Sequence, residues 1–349
     1  MSVEAYSTLI MAIPGPVLLV GEDQRIMTAN DAASETLGPN LAGQSVYAII
    51  RQPDATRAFE AIRDANTSGT EARFIQTTPT GETIFRMVLR KLQPKSGARV
   101  TLATFVDISH IEEAEQMRRD FVANVSHELR SPLTVLGGFI ETLQTAARDD
   151  VEARLRFLDI MAKEAQRMNR IVDDLLSLSN VEANEKVRPR DLIDLSDVIG
   201  STIAALRPQI ENNQIRLNYD PATSSHVIRG ERDQLIQVFR NLIENAVKYG
   251  GSGGTVTIRT REHARMPGFS GPVVIVDVVD TGDGIDSVHL PRLTERFYRV
   301  DTHRSREKGG TGLGLAIVKH ILNRHRARLS IQSSKGVGST FSVQLPKDT

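Results

Sequence analysis

The sequence predicts a multidomain α+β protein, and three observations carry that expectation. Residues 110–175 hold two runs of apolar residues at alternating spacings of three and four, the signature of packed amphipathic helices. Residues 190–349 alternate strand-like and helical stretches with glycine-rich loops between them, which predicts a layered α/β domain. Residues 1–109 read as short strands and helices punctuated by turns, a small α+β module. The expected division is therefore 1–109, 110–186 and 190–349. A chain of 349 residues has room for these three at roughly 100–200 residues per domain.

In the first module, Val17–Val20 and Arg25–Thr28 flank Gly21-Glu-Asp-Gln24 as strand, tight turn and strand. Helices are predicted at 31–37 and 54–64, and strands at 71–77, 83–92 and 99–106. Pro79-Thr-Gly81 and Pro94-Lys-Ser-Gly97 separate those strands as turns.

The second module has no Gly or Pro between 110 and Pro132. Val122, Val125, Leu129, Pro132, Leu136, Phe139 and Leu143 form its first seam. After a break at Arg148-Asp-Asp150, Leu158, Met161, Ala165, Met168, Val172 and Leu175 form a second. Two such helices joined by a short loop make an antiparallel hairpin. One hairpin leaves its seam half covered, so a homodimeric four-helix bundle is expected. With Val122 at position a, His127 falls at f, farthest from the seam, and Thr134 falls at f one heptad later. An imidazole, the adjacent carboxylate of Glu128 and a hydroxyl two turns on thus share one exposed face, able to present a nucleophile to another domain. A solvated surface histidine is the plainer reading of such a residue alone.

In the third module, strands are predicted at 216–219, 255–260, 273–279, 329–333 and 340–345, and helices at 197–212, 232–249 and 313–324. Helix 232–249 is mostly apolar, but Gln237, Asn241, Asn245 and Lys248 run down one side. Asn is a poor interior helix residue. Neutral amide oxygens suit Mg²⁺ beside phosphates, and Lys248 adds a cation; a solvated polar stripe fits the same residues. Asp280-Thr-Gly-Asp-Gly-Ile285 places a carboxylate at a strand end, where it can accept from an exocyclic amine while the glycines let backbone approach a flat ring. A calcium loop is excluded, because Gly282 and Gly284 stand where that motif needs oxygen-bearing side chains. Gly309-Gly-Thr-Gly-Leu-Gly-Leu315 opens a helix, and bare amides at a helix N-terminus suit phosphate. Charged residues rather than a strand precede it, so it is no dinucleotide fingerprint, and no P-loop or Ser/Thr/Tyr kinase motif set occurs.

Composition removes other classes. The chain has no cysteine, which excludes disulfides, thiolate catalysis and Cys-ligated metals and fits a reducing compartment. Lys+Arg and Asp+Glu balance at 43 each, so no net field favours nucleic acid or an anionic membrane. No apolar run approaches the roughly 18–20 residues of a membrane span, and because Met1–Met11 lacks a basic stretch followed by a long apolar core, no signal peptide is expected there.

Taken in order, six stretches resemble the histidine, asparagine, phenylalanine and three glycine boxes of two-component sensor histidine kinases. They are Phe-Val-Ala-Asn-Val-Ser-His-Glu-Leu-Arg-Ser-Pro-Leu-Thr at 121–134, Asn-Leu-Ile-Glu-Asn-Ala-Val-Lys-Tyr at 241–249, 280–285, Glu-Arg-Phe-Tyr-Arg-Val-Asp at 295–301, 309–315 and Gly-Val-Gly-Ser-Thr-Phe at 336–341. The resemblance covers about residues 110–347, and 290–320 looks most like the phosphate-regulon sensor kinases. Residues 1–109 resemble a PAS sensor domain through 12–20, Thr28-Ala-Asn-Asp31 and the closing Asp107-Ile-Ser109. With no Cys, and no His before His110, a flavin–cysteinyl photosensor is excluded and a His-ligated haem in the PAS core is not expected. Phosphate-regulon kinases carry membrane spans ahead of this module. The expectation here is a cytoplasmic chain, or one attached to a membrane by a partner or an upstream segment.

The resemblance implies an ATPase domain of the gyrase and histidine-kinase type, an α/β sandwich, and an ATP:protein-histidine phosphotransferase. Gyrase and mismatch-repair ATPases share that nucleotide fold but lack the His127 hairpin. ATP would bind with Asp280 reading the adenine amino group and Asn245, with Asn241 nearby, holding Mg²⁺. Lys248, Tyr249 and Arg299 would touch phosphates or nucleotide. Gly282, Gly284, Ile285 and Thr340 would lie in the site, and Gly310, Thr311, Gly312, Leu313 and Gly314 would wrap the phosphates. Residues 286–308 would form a lid closing through basic residues. His127 would take the γ-phosphoryl group, Glu128 would accept its proton, and an Asp on a response-regulator receiver domain would be the final acceptor. Thr134 would position water for a phosphatase activity on that regulator, and phosphate starvation is the signalling role implied. A relative acting mainly as a phosphatase or scaffold is the alternative within the family.

Overall fold

The computed structural model describes residues 3–64, 68–79, 81–92, 99–148, 150–220, 226–251, 253–301 and 310–347. The chain forms two compact units, Met1–Asp120 and Phe121–Thr349.

The first unit is built on one antiparallel sheet of order β2-β1-β5-β4-β3. Its strands are β1 (Val17–Gly21), β2 (Ile26–Ala29), β3 (Gly69–Thr78), β4 (Gly81–Leu92) and β5 (Val100–Asp107). Helices α1 (Val3–Met11), α2 (Asp31–Leu37), α3 (Val46–Ile49) and α4 (Pro53–Asp64) surround it. Leu18, Val20, Met87, Leu89 and Ala103 pack with Phe59 and Ile62 of α4, and the rings of Phe74, Phe85 and Phe105 meet at 5.5–6.3 Å. This is the α+β sheet expected of a PAS-like module.

Two polar side chains set its ends. Asn30, 2% exposed, accepts from the N–H of Val17 and Ala33 and donates to the carbonyls of Ile13 and Gly15. It caps α2 while tying down the chain that enters β1, so all its buried polar capacity is used. At the other end, Asp107 accepts from the Ser109 N–H, and Ser109 Oγ accepts from the Ile84 N–H. Hydrogen bonds to Asp107 from the backbone and side chain of Ser109 hold its carboxyl below the ordinary range and fix the turn from β5 into the next helix.

That helix, α5, runs over Ser109–Gln144, and α6 over Val151–Ala183. Asp150 caps α6 by accepting from the Ala153 N–H at 2.9 Å, a contact typically worth about 1 kcal/mol. Phe139 and Phe157 stack across the hairpin with centroids 4.8 Å apart. The α6 stripe expected to pack does so only in part: Met161, Met168 and Leu175 are half-buried, Leu175 against the core, and the fully buried positions lie to one side of them. Ala153, Arg167, Ile171, Leu178 and Val181 are the buried positions, whereas Leu158 and Val172 remain 48% and 42% exposed. At 3.6 residues per turn these are nearly opposite faces. Part of the apolar periodicity of α6 marks a face that the single chain leaves open, whereas the expected α5 seam is covered, with Pro132 buried and Val125, Leu129, Leu136, Phe139 and Leu143 half-buried; of that seam Val122 is exposed.

The rest of the second unit is a mixed sheet of order β11-β12-β10-β9-β7, parallel only between β7 and β9. Its strands are β7 (Arg216–Asp220), β9 (Thr255–His263), β10 (Val273–Asp280), β11 (Arg328–Ser334) and β12 (Gly338–Pro346). A two-stranded ribbon pairs β6 (Leu192–Asp194) with β8 (Val227–Arg229). Helices α7 (Leu195–Asn212), α8 (Arg232–Tyr249) and α9 (Gly314–Arg324) join the sheet in one core with Val256, Ile258, Val274, Val276, Val278, Phe341, Val343 and Leu345. Alternation along each strand assigns the faces: even positions of β10 and odd positions of β12 meet the helices. Leu178 and Val181 of α6 belong to the same core, which joins the hairpin to this sandwich as one unit.

Candidate nucleotide and phosphoacceptor site

A cavity of about 440 Å³ opens between α8, the end of β10, the start of α9 and α6. Helix α8 contributes Arg240, Asn241, Glu244, Asn245, Lys248 and Tyr249; the end of β10 contributes Asp280 and the loop after it Asp283, Gly284 and Ile285. Tyr298, Arg299, Val300 and Asp301 form one wall, and Gly310, Thr311, Gly312 and Gly314 another. Pairing the polar stripe with a helix apolar elsewhere explains why α8 can bury Leu235, Phe239, Leu242 and Ala246 and still offer amides to the cavity.

Asp280 ends β10 and is 5% exposed. Burial pushes its carboxyl up, opposed by hydrogen bonds from the Gly282 N–H and from Ser339; the Gly282 bond is 2.9 Å. Desolvation disfavours the charged form, and these donors oppose it without cancelling it. Gly282 itself does not line the cavity. A Cβ there would lie 2.1 Å from the Tyr249 carbonyl oxygen, so its missing side chain lets the loop pack on the end of α8. At Gly312 φ is +75°, and a Cβ would meet the Phe297 backbone at 2.9 Å. The Gly312 carbonyl accepts from the Phe297 N–H at 2.8 Å, which clasps the glycine loop to the segment carrying Arg299.

Two more expected contacts fall elsewhere. Leu313 is fully buried in the core. Thr340 sits on the far side of β12, while Ser339 and Phe341 line the cavity; in register Asp280 pairs with Ser339, and the period of two turns Thr340 away. Ser339 was therefore legible from strand alternation. Of the expected lid, Ser287–Arg292 is a 3-10 helix gathered round Tyr298, whose hydroxyl meets His289 Nδ1 at 2.7 Å and whose ring lies under Arg292. The basic residues 304–308, and Gly309, lie outside the described residues.

On α5, His127 and Thr134 are both exposed, and the Thr134 hydroxyl donates to the Arg130 carbonyl at 3.0 Å. Pro132 lies inside this helix; lacking an N–H, it leaves the carbonyl of Glu128 without its usual helical donor. The Glu128 side chain turns toward α6. Its Oε2 accepts from Arg167 Nη2 at 2.6 Å and from Arg299 Nη2 at 3.3 Å.

Comparison with known proteins decides the family. Residues 117–184 match the His Kinase A (phospho-acceptor) domain and residues 230–349 the histidine kinase-, DNA gyrase B- and HSP90-like ATPases. The phosphate regulon sensor protein PhoR of Pseudomonas aeruginosa is 38% identical over 95% of this chain and 72% of its own length. The sensor-like histidine kinase SenX3 of Mycolicibacterium smegmatis is 30% identical over 96% and 83%.

The chain is a PhoR-like two-component sensor histidine kinase.

The fold agrees with that assignment. The histidine kinase ThkA, solved in complex with response regulator protein TrrA, superposes with a TM-score of 0.53 over 98% of both chains at 21% identity. Kinases of this family dimerise through the phosphoacceptor domain and pair with response regulators. The ATPase domain makes the kinase an ATP-binding protein. Among the described residues no helix is long and apolar enough to cross a membrane.

The kinase also brings to its cavity residues that the sequence motifs do not contain. Arg170, Asp173 and Asp174 of α6 line it, and Asp174 Oδ2 accepts from the Thr311 hydroxyl at 2.7 Å. Burial pushes the Asp174 carboxyl up, against the Thr311 bond and the charges of Arg240 and Lys248. Arg296 pairs with Glu182 at 2.5 Å, and the Phe121 and Phe297 rings lie 5.9 Å apart. His320 of α9 faces Glu182 and Glu185 of α6. The hairpin thus grips the glycine loop and the Arg299 segment together.

Proposed function

We propose that this kinase phosphorylates itself on His127 from ATP and passes the phosphoryl group to an aspartate of a response-regulator receiver domain. An imidazole nitrogen attacks the γ-phosphorus, the bond from that phosphorus to the β,γ-bridging oxygen breaks, and ADP leaves with the electron pair. Glu128 accepts the proton the ring sheds. Asp280 receives the adenine amino group, Lys248, Tyr249 and Arg299 meet phosphates, and the amides of 310–314 wrap them. Asn245, with Asn241 nearby, holds Mg²⁺. Their amide oxygens are neutral, and no cluster of three acidic or histidine ligands occurs among the described residues, so the phosphates would supply the balancing charge; bound there, the metal offsets charge on the transferring group. The observation that carries this reading is the convergence of Asn241, Asn245, Lys248, Asp280, Arg299 and Gly310–Gly312 on one cavity, in one unit with an exposed His127.

The chain would work as a homodimer, the open apolar face of α6 closing a four-helix bundle. Residues 1–109 would sense, 110–186 dimerise and carry the phosphoryl group, and 190–349 bind ATP. Thr134 would position water to hydrolyse the phosphorylated regulator, and the similarity to a phosphate regulon sensor protein suggests a role in phosphate starvation. The test is incubation with Mg²⁺ and γ-labelled ATP, wild type beside His127→Gln. Acid-labile, alkali-stable label on the wild type alone supports the reading. No label on either, with nucleotide binding intact, moves the assignment to a phosphatase.

A further inference from the structure

Arg167 stands in the buried stripe of α6, between Glu164 and Ile171, with its side chain 9% exposed. Its strongest contact is the 2.6 Å bond to Glu128, while its second amino group is 3.7 Å from Glu164. Its Nε is buried and has no hydrogen-bond partner among the described residues. A guanidinium kept in a helix seam for stability alone would be poorly chosen: burial is costly, a donor goes unused, and an apolar residue of similar volume commonly does as well. What this arginine does achieve is to hold one particular carboxylate, the residue next to His127.

That carboxylate oxygen has a second cation on it. Arg299, which lines the nucleotide cavity, reaches Glu128 Oε2 at 3.3 Å. Both bonds are charge-assisted but unequal, and the shorter one is the stronger. A triphosphate entering the cavity competes for Arg299 with far more negative charge than one carboxylate carries. Arg299 is therefore the partner that leaves, and Arg167 the one that stays.

We propose that Arg167 is a positioning residue for phosphoryl transfer, acting through Glu128. It anchors the carboxylate to the hairpin when Arg299 turns to the nucleotide, so that Glu128 remains in place to take the proton from His127. The inference rests on the reading of His127 as phosphoacceptor and Glu128 as its base. The phosphoryl group still passes from ATP to His127, and Arg167 neither gains nor loses a bond to the reacting atoms.

The test uses the full chain and γ-labelled ATP. Initial rates of His127 labelling are measured over a range of ATP for wild type, Arg167→Met, Arg167→Lys, Glu128→Gln and the double variant Arg167→Met/Glu128→Gln, with circular dichroism as the check on folding. Arg167→Met is expected to lower kcat by about tenfold, less than the factor of about 10²–10⁴ lost when a general base is removed outright, while KM for ATP stays within about twofold because Arg167 is not a nucleotide contact. Arg167→Lys should recover part of the rate, since it restores a cation but not the planar fork. Adding Arg167→Met to Glu128→Gln should cost nothing further, because a residue acting only through another is silent once the other is gone. A loss as large in the Glu128→Gln background as in the wild type overturns the inference, as does a full rate for Arg167→Met. Absence of label on the wild type overturns the underlying reading together with it.

Discussion

Thr311, in the glycine loop, donates its hydroxyl proton to Asp174, in the hairpin, at 2.7 Å across 137 residues of sequence. Both line the cavity, so the loop expected to wrap phosphates is held by a carboxyl group from another element. A carboxylate beside a phosphate site opposes the ligand; a protonated carboxyl does not.

Burial raises the Asp174 carboxyl, which sets the sign of its pH dependence. A folded pKa above the unfolded value contributes stability below the unfolded value, near 3.9, and loses it as pH rises through the folded value. Asp174→Asn, uncharged at every pH and still an acceptor for Thr311, should therefore raise Tm at pH 7. A gain of about 1 kcal/mol corresponds to about 2–4 °C. The difference from wild type should shrink on acidification toward the unfolded value, and thermal melts at pH 7 and pH 4 check both.

His325 behaves in the opposite sense. It is 1% exposed, its Nε2 accepts from the Glu231 N–H at 3.0 Å, and its Nδ1 meets the Ile321 carbonyl at 2.7 Å. This neutral tautomer ties the start of α8 to the end of α9, and burial holds its pKa below the ordinary value. With the folded pKa depressed, stability is full above the unfolded value of about 6.5 and is lost as pH falls toward the folded one. Wild-type Tm should drop between pH 7.5 and 5.5. His325→Gln should be less stable by about 1–3 kcal/mol at pH 7.5 and show a smaller drop.

Asp280→Asn should weaken ATP binding by about tenfold to a hundredfold, the cost of mispairing a polar contact in a closed site. The Gly282 N–H would still find an acceptor, so the loop should keep its shape. Calorimetric titration with ATP measures the loss, and an unchanged affinity would remove Asp280 from adenine recognition.

Thr134→Ala should separate two activities. The hydroxyl is exposed and, among the described residues, bonds along its own helix to Arg130, so its removal should leave His127 labelling within about twofold and stability within about 0.5 kcal/mol. Release of phosphate from a phosphorylated regulator should fall tenfold or more, by the logic of a positioned water. Equal loss of both would count against a separate phosphatase role.

Leu155, Leu158, Val172 and Leu176 are 63%, 48%, 42% and 60% exposed along one side of α6. Leu158→Glu with Leu176→Glu should convert the dimer to a folded monomer, since charge on an apolar interface prevents association without entering the hairpin's own seam. Sedimentation of both forms checks it.

Much of the molecule was legible without coordinates. The periodicities marked α5, α6 and α8 because local repeats determine where a helix is apolar. The order of Asn241, Asn245, Asp280 and the glycine runs pointed to a nucleotide site, and Asn241, Asn245, Lys248, Tyr249, Asp280, Gly284, Ile285, Arg299, Gly310, Thr311, Gly312 and Gly314 do meet in one cavity. Gly282, Leu313 and Thr340 share those motifs without lining it, because a motif records that a residue is needed but not whether it faces the ligand or packs beneath.

By itself the sequence determined the order of the longer helices and strands, the place of the glycine loops and the exposed position of His127, all properties set by neighbours within a few turns; the short α1, α3, β6 and β8 escaped it. Tertiary structure alone decided which face of α6 meets α5, and that Glu128 is held by Arg167 from 39 residues away and by Arg299 from 171. A heptad specifies the phase of an apolar stripe, not the partner that covers it. The choice falls to whichever packing buries the most surface while pairing every buried charge.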